Sequence, residues 1–204
     1  MNLMKKQIIL QENIFKKIVK KFYLLLILLF LCSYIQANEK WIIDKNLSEI
    51  TFEVPVLFAT NVSGEFTNFD GFVEIDVKNK KNNKAILSVE IDSLEINYKR
   101  YKDLILGPKF FDLSNYPIGV LDTKKFSYQN EEDLKLDIEL TIKGISKIVE
   151  TDLVVNRLAA DIVQIIGKLE FNRNDFEIGT GNWKNTSILK NKIKINSSIF
   201  LFKE

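Results

Sequence analysis

Between residues 134 and 149 the alternation of apolar and polar side chains is strict enough to admit one local structure. Leu134, Leu136, Ile138, Leu140 and Ile142 stand against Lys135, Asp137, Glu139 and Thr141, and a period of two places all five apolar side chains on one face of a strand. Lys143-Gly144 follows, and Ile145-Ser146-Lys147-Ile148-Val149 opens a second alternating segment. The stretch predicts a β-hairpin closed by a single glycine-containing turn.

The same period recurs along the chain. Ile50, Phe52, Val54 and Val56 alternate with Glu49, Thr51, Glu53 and Pro55, which predicts a strand with Pro55 at an edge or bulge. Val62-Ser63-Gly64-Glu65-Phe66 predicts another, Asn68-Phe69-Asp70-Gly71 a turn, and Val73, Ile75 and Val77 a third strand. Ala85, Leu87, Val89 and Ile91 repeat the pattern after a charged, solvated turn at 78–84, and residues 149–155, 163–171 and 192–202 continue it. The period breaks at 98–106, which reads as a short helix stopped by Gly107-Pro108. Eight or more antiparallel strands in one domain close as a sandwich or as a barrel, and pattern alone does not choose between them.

The first 37 residues are of a different kind. Six lysines (5, 6, 16, 17, 20, 21) precede an apolar run from Phe22 that extends at most to Ile35, the pattern of a secretory signal. The run is shorter than the roughly 20 apolar residues that span a bilayer, so cleavage after Ala37 is expected, with an uncleaved membrane anchor as the alternative. Residues 1–37 carry six of the 29 basic and one of the 27 acidic residues, so 38–204 has a net charge of about −3. A mildly acidic domain without a basic stripe argues against a phosphate-backbone partner, and no nucleic acid is expected. The one cysteine, Cys32, lies in the leader and histidine is absent. That removes disulfides, thiolate chemistry and the usual general base and metal ligand from the domain.

Several short pieces occur in a telling order: Trp41-Ile42-Ile43-Asp44, then Val62 to Phe66 with Phe69-Asp70-Gly71, then Phe110-Phe111-Asp112 with Tyr116-Pro117, the 140–149 stretch, and Asn172-Arg173-Asn174-Asp175-Phe176. Together they resemble the YceI-like family over nearly all of 38–204. The resemblance implies an all-β fold, an antiparallel eight-stranded extended lipocalin-like barrel with one short helix, exported to the periplasm and enclosing a long isoprenoid or related lipid. Two departures stand out. Tyr101, Lys102, Leu104 and Leu106 occupy the places of a basic, histidine-containing segment before Phe-Phe-Asp, and Glu177 stands where the family commonly has glycine.

A polyprenyl tail gains roughly 0.8 kcal/mol per buried CH2, so an apolar tunnel suffices to hold it. The candidate ligand-binding residues are Phe52, Val54, Phe66, Phe69, Phe72, Leu104, Phe110, Phe111, Leu140, Phe171 and Trp183, against the competing reading that each is ordinary core. Leu104, Ile105 and Leu106 are placed to form a lid over a barrel mouth. Arg173 and Asp175 are expected to pair beside a turn, Gly179-Thr180-Gly181 to be a plain loop, and Glu95, Asp103 and Asp112 to form no catalytic dyad. The expectation is a non-catalytic periplasmic carrier, with no metal and no cofactor other than a bound isoprenoid or quinone-type lipid. Its partners would be that lipid, a membrane in transient contact and a second copy in a homodimer. The rival is a protein-interaction or stress-response module whose barrel is filled by its own side chains.

Overall fold

The computed structural model describes residues 16–17, 19–22, 38–129 and 132–204. The chain divides into two units, residues 1–37 and Asn38–Glu204. In the first, 16–17 and 19–22 are helical, and the apolar run of the expected leader lies outside the described residues apart from Phe22. Among the described residues no helix is long and apolar enough to cross a membrane.

In the second unit eleven strands are joined edge to edge: β1 (Glu39–Ile43), β2 (Glu49–Val54), β3 (Val62–Phe66), β4 (Phe69–Ile75), β5 (Lys84–Glu90), β6 (Leu94–Ile96), β7 (Ile118–Asp122), β8 (Asp133–Ile142), β9 (Ile145–Arg157), β10 (Ile162–Asn172) and β11 (Lys192–Lys203). The order β1-β4-β5-β7-β8-β9-β10-β11 closes on itself through β1 and β11, a ring of eight. The other three prolong it. Along one edge of β11, β1 pairs with Leu201–Lys203 and β2 with Lys194–Ser198, so β1 and β2 are one stave broken at 44–48. The β3 and β4 strands form the next stave, against β2 and β1 respectively, and β5 with β6 the third. The eight-stranded antiparallel barrel expected from the resemblance is the observed architecture, and closure leaves the ring no free edge.

The hairpin at 134–149 is as the alternation predicts. Ile142 pairs with Ile145, and the two residues between, Lys143 and Gly144, both have positive φ (52° and 70°), the backbone that matches the twist of a tight hairpin. Tyr116 packs its ring against Gly144.

Asn68-Phe69-Asp70-Gly71 is not the expected turn. Phe69–Ile75 is continuous strand, with Asp70 opposite Ser88 and Gly71 opposite Leu87. A Cβ on Gly71 would sit 2.3 Å from the Ile86 carbonyl oxygen. Glycine serves close approach of two backbones here rather than reversal of the chain. Pro55 lies just past the end of β2, where it removes no ladder hydrogen bond.

The helical segment is a 3-10 turn, Lys99–Tyr101, followed by the short helix α1 (Lys102–Leu106). Two apolar clusters pack within the barrel unit. One gathers Trp41, Ile50, Phe69, Val163, Ile199 and Leu201, and the other surrounds Phe110, Ile138, Leu140, Phe171, Phe176 and Ile193.

Candidate functional site

Every second residue of β11 from Ile193 to Leu201 lines one continuous cavity. At a rise near 3.3 Å per residue this stretch covers about 26 Å, so the space is a tunnel rather than a pocket. Its volume is 560 Å³. Val73 and Leu201 belong to its far end. Ala59, Thr60, Tyr98, Arg100, Tyr101 and Ile188 form its mouth, on the segments after β2, after β6 and before β11.

Ten of the eleven candidate residues line this cavity: Phe52, Val54, Phe66, Phe72, Leu104, Phe110, Phe111, Leu140, Phe171 and Trp183. Phe69 does not. It is 2% exposed and packs in the cluster with Trp41. Phe52, Phe66 and Phe111 stack in series with ring centroids 5.8 and 6.3 Å apart. Phe110 and Trp183 approach to 5.5 Å. These tilted and edge-on contacts let flat rings pave a curved wall.

Leu104 and Ile105 of α1 face the cavity and Leu106 is absent from its wall. The helix is pinned by the chain immediately beyond it, since Phe111 N donates to the Ile105 carbonyl at 3.0 Å and Leu113 N to that of Leu106 at 2.9 Å. Beside it, Lys102 Nζ lies 2.9 Å from Glu95 Oε1, and that hydrogen bond holds the Glu95 carboxyl below its ordinary range. Glu95 is thus a surface ion-pair partner.

The expected pairing of Arg173 with Asp175 is not formed. Arg173 is 1% exposed and gives its donors to main-chain carbonyls: Nε to Lys190 at 3.0 Å, Nη1 to Ile178 at 2.9 Å and Gly179 at 3.4 Å, Nη2 to Leu189 at 3.0 Å and Asn185 at 3.3 Å. Nη1 also meets Asn174 Oδ1 at 3.2 Å. Burial pushes the Arg173 pKa down. Asp175 instead accepts from Asn172 Nδ2 at 3.4 Å. Spacing in sequence suggested a pair, whereas the 3-10 turn Arg173–Phe176 sends the two side chains apart. The guanidinium fork suits several carbonyls at once, and it ties the 178–190 segment, which carries Trp183 and Ile188, to the barrel.

The wall contains no Asp, Glu, Lys or His among the described residues; its charged members are Arg100 and Arg173. No group of acidic, histidine or cysteine side chains among the described residues could hold a metal. Gly179-Thr180 is a loop, with the main-chain N–H groups of both residues donating to the Lys109 carbonyl at 2.8 Å, and Gly181 opens the 3-10 turn Gly181–Lys184.

Sequence reasoning missed the mouth residues Thr60, Tyr98, Arg100, Tyr101, Ile188 and Leu189, which stand on segments without strand periodicity. The spacing of Tyr98 and Tyr101 was the available signal, since residues three apart share a face of a helical turn.

A model of the YceI-like domain matches residues 41–201. The chain belongs to the YceI-like family. Among its relatives is a UPF0312 protein of Photorhabdus laumondii, 26% identical over 115 residues, a match that covers 56% of this chain and 59% of the relative. Similar solved structures include BcnA of Burkholderia cenocepacia, with a TM-score of 0.70 at 24% identity, covering 78% of this chain and 98% of that one. A polyisoprenoid binding domain from Saccharophagus degradans, implicated in plant cell wall breakdown, superimposes with a TM-score of 0.63 at 14% identity over 80% of this chain and 98% of that one. The Campylobacter jejuni YCEI protein gives a TM-score of 0.61 at 23% identity, over 74% of this chain and 89% of that one. These likenesses place the eight-stranded barrel in the YceI-like fold.

Proposed function

We propose that this YceI-like chain is a periplasmic carrier that holds a long-chain isoprenoid, of polyprenyl or quinone type, in its barrel without chemical turnover. The observation that carries the reading is the shape and lining of the cavity: an apolar tunnel running along the interior face of β11, with the exposed residues Arg100 and Ile188 in its wall. Burial of successive methylenes alone supplies affinity in such a tunnel. The name of the Saccharophagus domain supports the ligand class, and the lysine-then-apolar pattern of residues 1–37 supports export. A wall that holds no carboxylate, histidine, lysine or thiol among the described residues supports carriage over catalysis, since general acid–base and nucleophilic mechanisms draw on those groups.

Native mass spectrometry of the protein recovered from an exporting bacterial host, followed by solvent extraction, tests the proposal. A stoichiometric long-chain adduct is expected. A mass equal to the bare chain even after incubation with polyprenyl and quinone lipids would overturn it in favour of an interaction module. The 560 Å³ of open space speaks against that alternative, in which side chains would fill the barrel.

A further inference from the structure

Phe58 is 98% exposed and sits at φ 60°. A large aromatic residue in the left-handed region with no protein contact to reward it is costly twice over, in backbone and in hydration. Its neighbours are of the same kind: Leu57 is 41% and Ile188 67% exposed. The three are held in one lip. Leu57 N donates to the Ile188 carbonyl at 2.9 Å, Lys190 N to the Pro55 carbonyl at 3.0 Å, and Val56 bridges Leu189 between them. Val56 and Leu189 line the cavity, so the alternation of extended backbone turns Leu57 outward. The inner face of the lip is cavity wall and its outer face is bare hydrocarbon.

Charge around the mouth runs against that of the rest of the domain. Segments 55–61, 98–106 and 183–190 carry Lys99, Arg100, Lys102, Lys184 and Lys190 but a single acid, Asp103, in a region 38–204 whose net charge is about −3. Lys102 is answered by Glu95, and the nearby Glu53 carboxylate accepts from Asn61. Lys99, Arg100 and Lys184 are exposed. Tyr101 and Trp183, 40% and 38% exposed, stand at the same opening, with the Arg100 guanidinium 4.8 Å from the Tyr101 ring centroid. Apolar tips, amphipathic aromatic rings and basic groups together match the layers of a bilayer surface.

We propose that the mouth is a docking lip for an anionic lipid bilayer: Leu57, Phe58 and Ile188 enter the acyl boundary while Lys99, Arg100 and Lys184 meet lipid phosphates. The inference rests on the carrier reading and adds the route of loading. A lipid tail leaving the bilayer would pass Phe58 and Ile188 directly onto Val56 and Leu189 without crossing polar surface.

Vesicle flotation with the protein recovered from an exporting host tests this, using equimolar phosphatidylglycerol and phosphatidylcholine against phosphatidylcholine alone. The native protein is expected to float with the anionic vesicles, less so as salt rises. Phe58→Asn, which keeps a residue tolerant of positive φ, combined with Leu57→Ser, neither residue being part of the cavity wall, should weaken flotation by roughly tenfold or more. The same variant should load isoprenoid from detergent micelles as the native protein does. Equal flotation of native and variant overturns the lip, as does a variant that changes the oligomeric mass alone, which would assign the face to a second copy. Failure of the native protein to load from micelles sinks the carrier reading, and the vesicle comparison still decides the lip.

Discussion

Arg173 donates from Nη2 to the Leu189 carbonyl oxygen at 3.0 Å, joining the end of β10 to the segment that shapes the barrel mouth. Among the described residues no acid partners this buried cation, and main-chain carbonyls take its place. Arg173→Lys would leave most of them unpaired, because an ammonium lacks the planar fork. The expected loss is about 3 kcal/mol of stability by urea unfolding, several times that of one ordinary hydrogen bond. Asp175→Asn should be near neutral, and an equal loss for both would reinstate the salt bridge.

Phe111 is half-buried in the cavity wall, its ring edge-on to Phe66. Phe111→Glu puts a carboxylate into a tunnel that has none among the described residues, where charge is poorly solvated. Extracted lipid per protein should fall at least tenfold or so while the far-ultraviolet circular dichroism is retained. Unchanged loading would mean that the ligand does not run past Phe111.

Glu177 sits at φ 55°, where the family commonly has glycine, and its side chain is exposed. The left-handed conformation costs a residue with a Cβ roughly 1–2 kcal/mol, and the greater chain entropy of glycine returns part of that. Glu177→Gly should therefore stabilise the domain by up to about 1 kcal/mol, read as a higher urea midpoint. A fall in the midpoint would show that the Glu177 side chain matters.

Asp76 caps the turn after β4: its carboxylate accepts from Asn82 Nδ2 at 2.9 Å and from the backbone N–H groups of Asn79 at 2.9 Å and Lys78 at 3.0 Å. The Asn82 bond first, then the Asn79 N–H, holds its pKa below the ordinary 3.8. A depressed carboxylate favours the folded state in full above its unfolded value and loses that contribution as pH falls through the folded one. The stability difference between native protein and Asp76→Ala, followed by urea unfolding, should shrink as pH drops below 3.8. A difference independent of pH would exclude this role.

Much of the barrel was legible because strands with one buried face must alternate. The runs at 134–142 and 192–202 announce their strands residue by residue, and Lys143-Gly144 names its own turn. Gly71 misled because the same residue suits both reversal and close approach, and only the neighbouring stave, with the Ile86 carbonyl against it, separates the two. Among the candidate residues, alternation distinguishes inside from outside but not cavity from core. Phe69 and Phe72 stand three apart on the continuous strand β4, so their side chains leave opposite faces, and only the packed barrel puts Phe69 in the cluster with Trp41 and Phe72 at the tunnel wall.

By itself the sequence determined most of the strands, though not β1, β6 and β7, with the hairpin at 143–144, the short helix and the apolar character of the interior, because these derive from period, turn chemistry and side-chain type. Closure of β1 on β11, the empty space along β11, the carbonyl cage of Arg173 and the lip of Leu57, Phe58 and Ile188 were decided by the tertiary structure alone. Each depends on residues far apart in the chain or on backbone groups that carry no sequence signal, and such contacts exist only once the staves have closed.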